Sequence, residues 1–204
     1  MVFLVIAIAY LIGSIPNGLV VGRLVGGVDL RKFGSKNIGA TNAFRVLGPW
    51  PALVVFLTDA AKGVAGVYLG GYLLGTPLAL LAGGIASIAG HNWSIFLGFK
   101  GGRGVATGLG VIAMLSPKVT IVVFAIWALI VYFTRYVSLG SIVAAAFVPV
   151  MMWLFGEITE FLIFGIIAAL FVIARHRPNI ERLLKGEELK IKPGHLANSE
   201  KKEK

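Results

Sequence analysis

The chain reads as an all-α polytopic membrane protein with about seven transmembrane helices and polar active-site loops gathered on one side. Three observations carry that reading. Hydrophobic residues make up 57% of the 204 and charged residues only 14%, against roughly 25% charged in a soluble domain. The mean hydropathy is +0.89, and the apolar residues fall in runs near the ~20 that cross a bilayer. Short stretches dense in cations, glycines and amides separate those runs.

The expected spans lie at 2–22, 50–74, 78–98, 104–116, 119–134, 138–155 and 158–174. The first begins without a basic segment, so it reads as a retained span and not as a cleaved signal. The fourth is the weakest, since about 12 residues from Gly104 to Leu115 cover only ~18 Å. It suits a short, broken or re-entrant helix buried in protein or lining a wet cavity. The pairs Gly66/Gly70, Gly71/Gly75 and Gly104/Gly108 have the spacing of close helix packing in lipid. Residues 1–204 are expected to form a single integral-membrane domain, with Ser199–Lys204 as a solvated tail.

Net charge is +10. Under seven spans, 17 of the 19 Lys and Arg residues fall on one side, which puts the N-terminus outside and the C-terminus in the cytoplasm. The basic balance therefore follows topology, with the lipid bilayer and no nucleic acid as partner. The absence of cysteine excludes disulfides and thiolate chemistry. Asp29, Asp59, Glu157 and Glu160 form no cluster, and three distant histidines have no ligand spacing, so neither a metal nor a cofactor is expected. Catalysis must then rest on cations, amides, hydroxyls, backbone N–H groups or His.

Three polar stretches share the cytoplasmic side. Between Lys32 and Arg45, Ser35, Asn37, Thr41 and Asn42 offer hydroxyls and amides, while Lys36 and Arg45 add charge. Arg binds phosphate bidentately. Thr41 or Asn42 would also suit the cap of a short interfacial helix. Lys100, Gly101, Gly102, Arg103 and Gly104 form a glycine loop opening the fourth helix, where backbone N–H groups and the helix dipole favour an anion. His91 and Asn92 end the third span. His176 and Asn179 follow the last, where Pro178 ends the helix. Turns, caps and basic membrane anchors would account for any one stretch. Their convergence on one side points to one phosphate-binding site.

Four segments, 34–42, 90–107, 135–141 and 175–184, resemble, in order, the motifs of the bacterial acyl-phosphate:glycerol-3-phosphate acyltransferase family, PlsY. The chain departs from that pattern at Arg103, where the family usually carries Lys, and at Ser94, where Pro is expected. The resemblance implies transfer of a fatty acyl group from acyl phosphate to the 1-hydroxyl of sn-glycerol 3-phosphate at a bacterial cell (inner) membrane. It adds Ser138 and Ser141 to the substrate contacts of Lys36, Thr41, Asn42, Arg45, His91, Asn92, Lys100, Gly101, Gly102, Arg103 and Gly104. Ser35, Asn37, His176 and Asn179 would position the reacting groups, and a substrate phosphate would take the proton. A transporter or flippase for a phosphorylated metabolite or lipid would share the spans and basic loops, but should show broken helices paired by a repeat. Reporter fusions after Lys118 and after Gly156 should both read outside, and a cytoplasmic signal at either place would break the topology.

Overall fold

The computed structural model describes residues 1–191, and its regular elements are ten α-helices and two short 3-10 turns. Lys192 and the expected tail at Ser199–Lys204 lie outside the described residues. Helix α1 (Val2–Ser14) breaks at Ile15, which precedes Pro16 and turns extended, with ψ 120°. Helix α2 (Asn17–Gly26) resumes the same 25-residue apolar stretch. The break frees the Ile15 carbonyl, which accepts from Lys62 Nζ, while Asn17 donates to Asp59 at 3.2 Å.

Helix α3 (Ala40–Leu47) is short and follows the first polar loop. Next come α4 (Pro49–Leu74), α5 (Pro77–Asn92), α6 (Val105–Leu115), α7 (Pro117–Thr134), α8 (Val137–Leu154), α9 (Thr159–Arg175) and α10 (Arg177–Leu184). Proline opens α4, α5 and α7, where its missing N–H costs no helical bond. Neither Thr41 nor Asn42 caps a helix. Gly39 is the N-cap of α3 and both residues lie inside it, because the Asn42 amide is engaged with the loop before it.

Five stretches have the length and apolarity of spans: 2–26, 49–74, 77–97, 117–134 and 137–154. Helix α9 has 17 residues, and counts as a sixth when joined to α10 across a 57° bend. Helix α6 has 11 residues, about 17 Å of axis, well short of a ~30 Å hydrocarbon core. The expected seven thus resolve into five or six segments of spanning length and one short apolar helix. As expected, Gly104 opens α6, and α9 stops before Pro178.

The helices pack in two groups. Helices α1, α4, α5 and α6 approach so closely that glycines fill the contacts. A Cβ on Gly66 would lie 2.5 Å from the Gly83 carbonyl oxygen, and one on Gly83 would lie 2.0 Å from that of Gly66. Gly70 likewise packs on Ala79. The other two spaced pairs do different work: Gly75 ends α4 in a left-handed conformation, Gly104 begins α6, and a Cβ on Gly108 would meet nothing. Helices α7, α8 and α9 form two successive hairpins. The groups share one core cluster through Val67, Leu81, Val111, Val148, Met152 and Phe164. Beside that cluster a cavity runs between them.

Gly83→Ala should cost about 1–3 kcal/mol by overpacking the α4/α5 contact. Gly71→Ala, whose Cβ would meet Leu80 at 3.9 Å, should be neutral or stabilise by about 0.4–1 kcal/mol. Thermal unfolding of both variants in detergent distinguishes the two outcomes.

Candidate active site

The first wall of the cavity is the loop before α3. Asp29 caps the turn Leu30–Lys32 by accepting from the Arg31 N–H at 3.0 Å, and pairs with the Arg31 guanidinium at 2.6 Å. Gly34 and Lys36 both take φ +58°. A Cβ on Gly34 would lie 2.4 Å from Asn42 Oδ1, so glycine is needed there. Lys36 is a non-glycine residue in the left-handed region, a strain of order 1–3 kcal/mol that the surrounding bonds must hold. Asn42 supplies them. Its buried Nδ2 donates to the carbonyls of Leu30, Phe33 and Asn37 at 2.8–3.1 Å, and its Oδ1 accepts from the Ser35 N–H at 2.8 Å. Asn42 thus pins the loop and turns Ser35 and Asn37 toward the cavity.

The glycine loop forms the second wall. The Gly102 N–H donates to the His91 carbonyl at 3.0 Å. A Cβ on Gly102 would lie 2.1 Å from His91 Nε2, so glycine lets the loop rest on the imidazole. Gly104, at φ +77°, lies over the Asn92 amide. The first turn of α6 then presents Gly104, Val105 and Ala106 to the cavity, where free N–H groups and the helix dipole favour negative charge. Arg103 lies beside them. Burial, together with the nearby cations Arg182, Arg45 and Arg175, lowers its pKa to about 10 against the pull of Glu188. Arg175 donates to the Gly102 carbonyl at 2.9 Å and lies over the Trp93 ring. Lys100 is exposed and lines no part of the site. It follows Phe99, whose φ of +61° turns the chain outward.

The third wall joins α8, the α9–α10 break and the strap 185–191. His176 Nδ1 lies 2.7 Å from the Val172 carbonyl, which makes Nδ1 the donor and leaves a lone pair on Nε2. His176 follows the last residue of α9. Burial, partly offset by the Val172 bond and reinforced by Arg103, lowers its pKa to about 4. Glu188 binds this wall together. It accepts from Ser138 Oγ, Asn179 Nδ2 and Arg182 Nε, each at 2.7 Å. Burial alone would raise its pKa, but these bonds outweigh burial and lower it. Arg45 donates to the Leu189 carbonyl at 2.7 Å, and the Ile191 N–H donates to the Arg135 carbonyl at 2.8 Å. Glu188 was missed in the sequence, where the late glutamates form no pair. Its signal was indirect: Asn179 and Arg182 share one face of α10 and both need an acceptor.

The walls enclose a cavity of about 630 Å³. Ser35, Asn37, Thr41, Asn42, Arg45, His91, Arg103, Gly104, Ser138, Ser141, His176 and Asn179 all border it, so motifs more than a hundred residues apart meet. Lys36, Gly101 and Gly102 border an adjoining 250 Å³ cavity together with Ser35, Asn37, Arg103 and Arg175. Asn92 is buried beneath Gly104 and borders neither. Away from the polar end the large cavity becomes an apolar groove between the two helix groups, walled by Ile88, Ile112, Trp127, Val148, Phe164 and Phe171. It reaches Leu78 and Glu160, 16 residues of α9 below His176, or about 24 Å. A cationic end continuous with a long apolar groove suits a ligand carrying both phosphate and hydrocarbon. Among the described residues no three His, Asp or Glu side chains group as metal ligands.

Comparison with known proteins agrees on one family. The profile described as "Glycerol-3-phosphate acyltransferase" matches residues 3–186. A Moorella thermoacetica protein named glycerol-3-phosphate acyltransferase 2 is 50% identical over 188 residues, covering 92% of this chain and 96% of its own. A Carboxydothermus hydrogenoformans glycerol-3-phosphate acyltransferase is 47% identical over 191 residues, covering 94% and 97%. Among solved structures, PlsY, an integral membrane glycerol 3-phosphate acyltransferase, in its glycerol 3-phosphate form superposes with a TM-score of 0.88 at 40% identity, covering 94% of this chain and 96% of that one. Its lysophosphatidic acid form gives 0.86 at 39% identity, covering 93% and 94%.

Arg103→Ala should weaken binding of inorganic phosphate by about 1.5–3 kcal/mol, the range for a lost charge-assisted bond. Lys100→Ala, an exposed charge, should cost at most about 1 kcal/mol. Titration calorimetry on the detergent-solubilised protein reads both, and equal losses would return Lys100 to the site.

Proposed function

The chain belongs to the glycerol-3-phosphate acyltransferase family, and from that membership we propose that it acylates the 1-hydroxyl of sn-glycerol 3-phosphate from a fatty acyl phosphate, yielding lysophosphatidic acid and inorganic phosphate. The observation that carries this reading is the continuity of the cationic end with the apolar groove in one cavity. The acyl chain lies in the groove, and both phosphates lie among Arg45, Arg103, the start of α6 and the adjoining cradle around Lys36. With the polar end facing the cytoplasm, water-soluble glycerol 3-phosphate enters there.

An acyl phosphate is a mixed anhydride, so its leaving group is already good. Attack by the 1-hydroxyl oxygen forms a C–O ester bond. The anhydride C–O bond breaks, and its electron pair leaves with phosphate. The enzyme must hold the two anions together, orient the hydroxyl and stabilise the oxyanion. Ser35, Asn37, Asn179 and His176 are suited to orientation, with His176 Nε2 as an acceptor for the hydroxyl. A strong protein base is lacking at this wall. His176 is neutral but weakly basic, and Glu188 is stabilised as a carboxylate by three donors. On this reading the proton passes to a phosphate oxygen of a substrate.

Purified protein supplied with palmitoyl phosphate and glycerol 3-phosphate should release lysophosphatidic acid and phosphate in equal amounts, and failure to do so would refute the reading. With a pKa of about 4, His176 stays neutral from mildly acidic pH upward. The wild-type kcat profile should then carry no limb from this residue near ~6.5, the ordinary histidine value. His176→Gln should retain reduced, measurable turnover with the same profile shape. An inactive variant rescued by added imidazole would instead make His176 the base.

A further inference from the structure

Beneath the glycine loop lies a buried charged group that the reaction as described does not use. Asp59 and Lys62, one turn apart in the middle of α4, pair at 2.9 Å, and both are almost fully buried. Lys62 needs a counter-charge, but Asp59 also borders the cavity and faces His91, whose Nδ1 lies 3.7 Å from Asp59 Oδ1. That Nδ1 has no hydrogen-bond partner among the described residues. The opposite, Nε2 edge of the ring supports Gly102, and Arg103 is the next residue. Asp59, His91, Gly102 and Arg103 thus form a continuous stack from the core of α4 to the cationic wall.

We infer that Asp59 is a positioning residue: acting through His91, it sets the height and orientation of the Gly101–Arg103 loop, and so the fit of one substrate phosphate. This inference rests on the acyltransferase reading above. Its physical basis is that a short carboxylate held by Lys62 and Asn17 is fixed in place, and it is the charged group that the buried Nδ1 edge of His91 faces, at 3.7 Å. Gly101 and Gly102 have no side chains with which to lock the loop, so its register is set by the backbone bond to the His91 carbonyl, the Arg175 bond to Gly102 and the ring beneath it.

The test separates positioning from charge balance. The double variant Asp59→Asn/Lys62→Met removes both charges together, and so leaves no unpaired ion in the span. Asp59→Glu keeps the charge opposite Lys62 but displaces the carboxylate, and serves if the double variant does not fold. A merely structural role would lower the active fraction, reducing kcat and leaving both KM values unchanged. Positioning should raise the KM of one phosphorylated substrate by about tenfold or more, since misplacement by ~1 Å can cost up to ~100-fold. The KM of the other should stay within about twofold of wild type by the same argument.

Adding His91→Gln to either background closes a cycle. If Asp59 acts through His91, the third substitution should change that KM little further, although His91→Gln alone raises it. Unchanged KM values in the folded variants, or losses that simply multiply, would overturn the inference. Wild-type protein assayed in parallel keeps the two readings apart: its inactivity would refute the acyltransferase reading, whereas normal variants beside an active wild type would refute only the role of Asp59.

Discussion

Four guanidinium groups, Arg45, Arg103, Arg175 and Arg182, surround the polar end of the cavity, and the strap places one carboxylate, Glu188, among them. Most of the remaining architecture follows from that imbalance. Charges of one sign at the edge of a low-dielectric layer repel and lose hydration. They persist where neighbouring structure fixes each one. Arg45 is held by the Leu189 carbonyl, Arg175 by the Gly102 carbonyl and Arg182 by Glu188. Arg103 has no such fixed acceptor among the described residues; burial first, and then the neighbouring cations, lower its pKa to about 10. A bound phosphate supplies the missing negative charge, and the site is complementary to anions for that reason.

The bilayer imposes the other half of the design. Backbone in hydrocarbon must satisfy its own hydrogen bonds, so the chain crosses as helices and keeps irregular structure for their ends. Where a helix does break within the layer, polar side chains repair it. Lys62 serves the freed Ile15 carbonyl, and Ser94 Oγ donates to the Ser14 carbonyl at 2.6 Å. The second repair also gives the serine at 94 a purpose, since a proline there would lack the hydroxyl. Glycine packing draws α1, α4, α5 and α6 into one tight group, whereas the α7–α9 hairpins meet it through a cluster of larger apolar side chains. Space remains between the two groups, polar at the loops and apolar inside, and that space is the groove.

Much of this is legible in the amino-acid sequence. Hydropathy located the spans, proline and glycine marked their ends, and the spacing of polar residues picked out the three motifs that meet. The features that escaped share a cause. Glu188 acquires meaning only when the strap folds back across 50 residues to Ser138, and no local pattern encodes that return. Asn42 looked like a ligand or a cap, because its composition cannot reveal that its amide is consumed by three carbonyls of its own loop. Lys100 and Arg103 look equivalent as charges. A left-handed turn at Phe99 sends one to solvent and leaves the other inside. Asp59 and Lys62 carry a plain signal: two opposite charges three residues apart inside an apolar span must pair, and intramembrane ionisable groups usually serve function.

The arginine at 103 shows how these constraints combine. The family pattern described above usually carries lysine there, and both side chains bring one positive charge. They differ in reserve. The surroundings carry the Arg103 pKa down to about 10, where the group is still fully protonated at neutral pH. A lysine begins from a lower reference value and is more strongly hydrated, so the same burial and the same neighbouring cations would carry it closer to neutrality. Arginine also offers a planar pair of donors to a phosphate. In a chain that gathers four guanidinium groups around one cavity end, arginine at this position holds its proton more firmly than lysine would.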